Sequence, residues 1–80
     1  MGLSDLPLAS AEKHAACFER LGWTRDKKRR GRGVHILLTK EGERATLSIP
    51  IQREVKRPLL AGLIRAAGIT QKQYIEKFYE

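Results

Sequence analysis

The chain has a single cysteine among 80 residues, and aromatic residues make up only 6% of it. Because one cysteine cannot form an internal disulfide, the fold depends on an apolar core, and the chain fits a reducing compartment. No run approaches the roughly 20 apolar residues that a membrane span needs. The N-terminus also lacks the apolar segment of a secretory signal. We therefore expect a cytoplasmic protein.

Acidic residues are also scarce. The chain has 9 aspartates and glutamates and 16 lysines and arginines, which gives a net charge of +7. Such a surplus on a small chain predicts a polyanionic partner, with nucleic acid ranked before an acidic protein and an anionic membrane. The length allows one domain over residues 1–80, in which residues 1–9 are expected to form a loose lead-in. The hydrophobic fraction of 41% indicates a folded chain.

The positive charge is clustered in one short run that leads to a histidine. Six cations can hold the phosphates of a polyanion, and they are Arg25, Lys27, Lys28, Arg29, Arg30 and Arg32. No aromatic residue interleaves with them, so the run favours recognition of backbone and shape over base stacking. A solvated, charged sheet edge is the alternative interpretation.

The spacing of apolar residues predicts a helix, three antiparallel strands, a second helix and a short last helix. Ser10 caps the first helix, Pro58 lies in the first turn of the second, and Thr70 with Gln73 forms a capping box for the third. The strands are predicted at residues 23–28, 34–39 and 44–49. This order predicts an α+β fold: a small α-β-β-β-α domain of the double-stranded-RNA-binding type, with the helices on one face of the sheet.

Alternation along the predicted strands separates a buried face from an open one. Ile36, Leu38, Leu47 and Ile49 should face the core, as should Val34 at the start of its strand. His35 then lies on the open face. Histidine is the side chain whose usual titration range lies nearest neutrality, so it can act as a general acid or base on a bound phosphodiester. The alternative is a strand histidine that only hydrogen-bonds a neighbour.

A metal site is not predicted. His14 and Cys17 are three residues apart on the first helix, but zinc sites normally take three or four protein ligands. The chain has one other histidine and no other cysteine. We interpret both residues as ordinary packing of that helix, and we expect neither a metal nor a cofactor.

Four short motifs, in order, resemble the HicA (YcfA-like) toxins over about residues 10–78. They are Leu21-Gly22-Trp23, Arg32-Gly33-Val34-His35, Leu47-Ser48-Ile49-Pro50 and the segment from Leu63 to Ile69. The resemblance implies a fold similar to a double-stranded-RNA-binding domain. It also implies a small toxin that cleaves messenger RNA and is held inactive by a cognate HicB antitoxin. The family's pattern Gly-Ser-His matches Gly33-Val34-His35, which implies that His35 is the catalytic residue.

The sequence departs from the family's pattern at three places. Val34 stands where the family usually has serine, Gln52 replaces a frequent second histidine, and residues 57–60 replace the usual Lys-Gly-Thr-Leu. The favoured hypothesis is a metal-independent endoribonuclease toxin with RNA and a HicB-like antitoxin as partners. A non-catalytic RNA-binding module of the same fold, or a basic domain that docks an acidic protein, remains the alternative.

Overall fold

A computed structural model describes residues 3–26 and 34–80 of the chain. Within these residues the sheet is antiparallel, and the element order confirms the predicted α-β-β-β-α arrangement. After a 3-10 turn at Leu3–Asp5, the elements are α1 (Ala11–Arg20), β1 (Thr24–Arg25), β2 (His35–Thr39), β3 (Leu47–Pro50), α2 (Arg57–Ala66) and α3 (Gln71–Phe78). The α+β fold is consistent with the double-stranded-RNA-binding type.

The predicted helix ends are confirmed by their hydrogen bonds. The Ser10 side chain accepts a bond from the Lys13 amide at 3.2 Å, and the capping box of Thr70 and Gln73 has both of its bonds. After α2, Gly68 adopts φ +76° and the Ile69 amide donates to the Ile64 carbonyl at 3.4 Å. This is the Schellman arrangement, in which a glycine takes the left-handed conformation that closes a helix.

Two predicted strands differ from the sequence pattern among the described residues. Of the strand predicted at residues 23–28, the structure describes residues 23–26, in which Thr24–Arg25 form β1 and the Asp26 amide donates to the Leu37 carbonyl at 2.8 Å. Residues 27 and 28 lie outside the described residues. The strand predicted at residues 44–49 begins only at Leu47. Arg44 and Thr46 are exposed, so this stretch offers little apolar surface whose burial would hold it in the ladder.

The core lies between the sheet and the helices. Its buried members come from the three α-helices, from β2 and β3 and from the segments that flank them: Ala11, Ala15, Cys17, Phe18, Trp23, Ile36, Leu38, Leu47, Ile49, Val55, Leu60, Ala61, Leu63, Ile64, Ala67 and Tyr74. Gly62 is exposed, and a Cβ placed there would meet nothing within 4 Å.

The segment predicted as a loose lead-in contributes a core residue, because Leu6 is buried. The Arg57 Nε donates to the Leu6 carbonyl at 2.8 Å, which ties the segment to the start of α2. Further along, the Val55 amide donates to the Ala9 carbonyl at 2.8 Å. These bonds align the start of the chain with the connector between β3 and α2.

His14 on α1 is a buried polar residue within this core. Its Nδ1 lies 2.6 Å from the Tyr74 hydroxyl on α3, while its Nε2 has no hydrogen-bond partner among the described residues. The Phe78 ring packs against the imidazole, with ring centroids 5.5 Å apart. Burial lowers the pKa of His14 from 6.5 to about 4, because the charged imidazolium would lose its hydration there.

Mild acid should therefore destabilise the fold. The folded state resists protonation of His14 while the unfolded chain accepts it, so the free energy of unfolding falls as the pH drops from about 6.5 towards about 4. The full loss should be roughly 3 kcal/mol, at about 1.4 kcal/mol for each unit of pKa shift. Urea unfolding between pH 7.5 and 5 should show about 2 kcal/mol of this loss, because pH 5 lies about 1.5 units below the pKa of the unfolded chain.

The variant His14→Gln is the matched control, because glutamine is neutral and can still hydrogen-bond Tyr74. Its stability should change little between pH 7.5 and 5. An equal pH dependence in the variant and the unsubstituted chain would contradict the assignment to His14.

Candidate active site

His35 is the first residue of β2 and lies opposite Pro50 of β3. The next pair along the ladder, Ile36 and Ile49, is buried in the core. Because successive side chains of a strand alternate between faces, the exposed His35 side chain lies on the face away from the helices. The structure thus confirms the orientation that the sequence predicted.

Beyond His35, the open face is formed by neutral side chains of β1, β2 and β3, and Asp26 follows β1 opposite Leu37. Leu37 and Ser48 form the next pair on this face, followed by Thr39 and Thr24 at the far side of the sheet. The His35 side chain forms no hydrogen bond or ion pair with another described residue. Its imidazole is therefore accessible to a ligand, and its position is set by the ladder.

Val34 was expected on the buried side, and that expectation is wrong. Its side chain is 54% exposed, because β2 begins at His35 and the helices do not extend over the end of the ladder. The Ile51 amide donates to the Val34 carbonyl at 2.9 Å, so the two residues continue the pairing of His35 with Pro50. Ile51 is likewise 52% exposed.

Arg25 is the one member of the predicted cationic run that the structure describes, and it is not brought to His35. Its partner in the ladder is the buried Leu38, so its side chain lies on the helix-covered face. There its guanidinium forms ion pairs with Glu12 at 2.9 Å and with Glu19 at 3.2 Å, both on α1. A phosphate contact by Arg25 would compete with these two carboxylates.

The remaining cations of the run lie outside the described residues, so their part in the site stays a prediction; they are Lys27, Lys28, Arg29, Arg30 and Arg32. Elsewhere in the chain, Arg53, Lys56 and Arg65 are exposed, whereas the Arg57 guanidinium donates to the Leu6 carbonyl. Sequence reasoning missed the exposed Ile51 beside the site, and the only signal for it was an isoleucine directly after the strand's terminal proline.

The described residues offer neither a metal site nor a membrane span. Over residues 3–26 and 34–80, no three side chains of His, Cys, Asp or Glu are grouped so that they could share a metal ion. The helices of the same residues include none with the length and apolar character required to cross a bilayer.

Comparison with models of protein families shows to which family the chain belongs. The model of the HicA toxin of bacterial toxin-antitoxin systems matches residues 11–69, from the first residue of α1 to the residue that follows the Schellman glycine of α2. The chain belongs to the HicA toxin family. No curated protein and no solved structure matches it. Membership confirms the resemblance read from the motifs, and it implies that this HicA-family toxin has a cognate antitoxin.

Proposed function

We propose that this HicA-family toxin is an endoribonuclease that cleaves messenger RNA, with His35 as its single catalytic histidine. The observation that carries the proposal is the placement of His35: an imidazole at the start of β2, exposed on the open face and without a described partner. A group that transfers protons must reach the substrate, and burial like that of His14 would prevent it.

The proposed step uses the nucleophile that RNA itself carries. The neutral His35 imidazole accepts the proton of a ribose 2′-hydroxyl, and the 2′-oxygen attacks the adjacent phosphorus. The bond from phosphorus to the 5′-oxygen breaks, and that oxygen leaves with a proton from the imidazolium or from water. The products are a 2′,3′-cyclic phosphate and a free 5′-hydroxyl. Because nucleophile and phosphorus are held in one molecule, this route requires no metal-bound water.

Phosphate binding is assigned to the cationic run that precedes His35 in the chain. Its five residues beyond Arg25 can neutralise the RNA backbone and the charge that develops on the phosphorane oxygens; they are Lys27, Lys28, Arg29, Arg30 and Arg32. The net charge of +7 supports a polyanionic substrate. The same charge suits a HicB-like antitoxin of acidic character.

Replacing His35 should abolish cleavage while leaving the fold intact. The variant His35→Ala loses the proton acceptor, so we expect RNA cleavage to slow by about 10²- to 10⁴-fold and growth arrest on expression to disappear. Ser48→Ala is the control, because Ser48 is exposed on the same face and has no assigned role. Equal cleavage by His35→Ala and the unsubstituted chain would refute the catalytic assignment.

The role of the ribose 2′-hydroxyl as nucleophile can be tested by changing the RNA instead of the protein. An RNA with a single 2′-deoxynucleotide at the cleaved position should bind normally and stay intact at that position, because the attacking oxygen is missing. Mass spectrometry of the products of unmodified RNA should find the cyclic phosphate, with or without EDTA. Cleavage at the deoxy position, or its loss in EDTA, would contradict the proposed step.

The salt dependence of RNA affinity should distinguish the cations that bind phosphate from Arg25. For a single-stranded RNA, each phosphate contact contributes about 0.7 to the slope of log affinity against log salt concentration. The double variant Lys28→Gln/Arg29→Gln should therefore lower the slope by about 1.4. Arg25→Gln should leave it unchanged, since carboxylates already hold that guanidinium. A lower slope for Arg25→Gln would show that Arg25 also contacts phosphate.

The second candidate function is an RNA-binding module of the same fold that does not cleave. Val34 in place of the family's usual serine, with its side chain exposed beside His35, is the observation that favours it. This alternative predicts salt-dependent RNA affinity and intact RNA at every pH. A histidine-dependent cleavage in the first assay would exclude it.

A further inference from the structure

Several of the arginines that the structure describes already have partners within the protein. The Arg25 guanidinium is held by two carboxylates, and the Arg57 guanidinium donates to the Leu6 carbonyl. Arg20 donates to two carbonyls at the end of α3, at 3.1 and 3.5 Å. Three other arginines are exposed, and their side chains form no hydrogen bond or ion pair with another described residue: Arg44, Arg53 and Arg65. Their guanidinium groups keep all their donors for a ligand.

Of these three, Arg53 lies at the end of the sheet where β2 begins with His35. It follows Pro50, the ladder partner of His35, by three residues. Three residues of chain span at most about 11 Å, and the Cα atoms of paired residues lie about 5 Å apart. The Arg53 Cα is therefore within about 16 Å of the His35 Cα, a separation that a few nucleotides of RNA cover.

The other two exposed arginines lie elsewhere. Arg44 precedes Leu47 by three residues, and Leu47 pairs with Leu38 at the other end of the ladder. Arg65 is in the last turn of α2, about 12 Å along the axis from the start of that helix. Arg44 and Arg53 thus share their residue type, their exposure and their separation from β3. They differ in the end of β3 at which they lie.

Hydrogen bonds fix the main chain on both sides of Arg53. The Gln52 carbonyl accepts a bond from the Ala11 amide at 3.0 Å. The Val55 amide donates to the Ala9 carbonyl at 2.8 Å, and the Val55 side chain is fully buried. Arg53 therefore belongs to an anchored connector between β3 and α2. Binding a phosphate there orders one side chain and not a loop, so little conformational entropy is lost.

We propose that Arg53 binds a phosphate of the RNA substrate and positions the strand across His35. This inference rests on the proposed function and deepens it, because it gives the RNA a second contact and a path past the end of β3. A guanidinium presents a planar fork that matches two oxygens of a phosphate. Arg53 is a positioning residue, since it contacts a phosphate other than the scissile one and takes no part in the proton transfer.

The charges beside Arg53 are compatible with a bound phosphate. Glu54 is exposed next to it in the chain, but it forms no ion pair with a described residue. The exposed Lys56 offsets the charge of Glu54, so the connector stays positive. An acidic protein is the competing occupant. RNA is favoured, because a backbone with a charge at every nucleotide can reach Arg53 while its scissile phosphate lies at His35.

The salt dependence of RNA affinity measures the contact. The probe is a single-stranded RNA of about 20 nucleotides, longer than the site of a small binding domain. It is titrated by fluorescence anisotropy against the full chain carrying His35→Ala, so that it stays intact. Adding Arg53→Gln should lower the slope of log affinity against log salt by about 0.7 and weaken binding about fivefold at about 0.1 M salt. Adding Arg53→Lys should keep the slope, because the charge remains.

Arg44→Gln is the matched control, because it removes the same charge at the other end of β3. It should keep the slope and the affinity. An unchanged slope in Arg53→Gln, an equal fall in Arg44→Gln, or no RNA binding by the His35→Ala chain would overturn the proposal. Unfolding midpoints in urea should be equal for all variants, since neither arginine side chain has a bond to another described residue.

Cleavage kinetics distinguish positioning of the RNA from the chemical step. With His35 present, Arg53→Gln should raise KM about fivefold at about 0.1 M salt and leave kcat unchanged, because the contact is the same in the bound substrate and in the transition state. A lower kcat at an unchanged KM would contradict the role in positioning.

The two proposals fail separately. If the unsubstituted chain does not cleave RNA while the slope depends on Arg53, the nuclease assignment fails and the phosphate contact stands. If cleavage depends on His35 and the slope does not depend on Arg53, the phosphate contact fails and the nuclease assignment stands. The exposed guanidinium would then be assigned to an acidic protein.

Discussion

The register of the β2–β3 ladder is the constraint on which the site depends. Its two buried pairs, Ile36 with Ile49 and Leu38 with Leu47, place four aliphatic side chains against the helices. Burying one such side chain stabilises the fold by about 2 kcal/mol. A slip of one residue would exchange them for His35 and its neighbours on the open face, so the core selects a single register. His35 is positioned by the burial of its neighbours and not by contacts of its own.

Features encoded by local chemistry were predictable from the sequence. The caps of α1 and α3 depend on a side chain and an amide three residues apart, and the glycine that ends α2 depends on its own φ. Alternation likewise predicted the faces of β2 and β3 and therefore the exposure of His35. The ends of the strands were less predictable, because pairing stops where neither strand offers apolar surface, and that depends on both strands at once.

Features that depend on distant parts of the chain could not be predicted. Leu6 belongs to no periodic pattern, yet it is buried and its carbonyl accepts a hydrogen bond from Arg57, 51 residues away. Arg25 shows the same limit within the candidate site. In the sequence it is one cation of a run, but the ladder turns it towards α1, where Glu12 and Glu19 hold it. Charge clustering in a sequence does not report which face of a sheet each cation occupies.

The two histidines show how the fold assigns different roles to one side chain. His14 is enclosed between α1 and α3, and burial keeps its imidazole neutral down to about pH 4. It can neither reach a substrate nor exchange protons near neutrality. His35 is exposed on a strand whose register the core has fixed, so its position is established by folding. Under the proposed function that preorganisation favours proton transfer, because the free energy of ordering the group belongs to folding and not to the reaction.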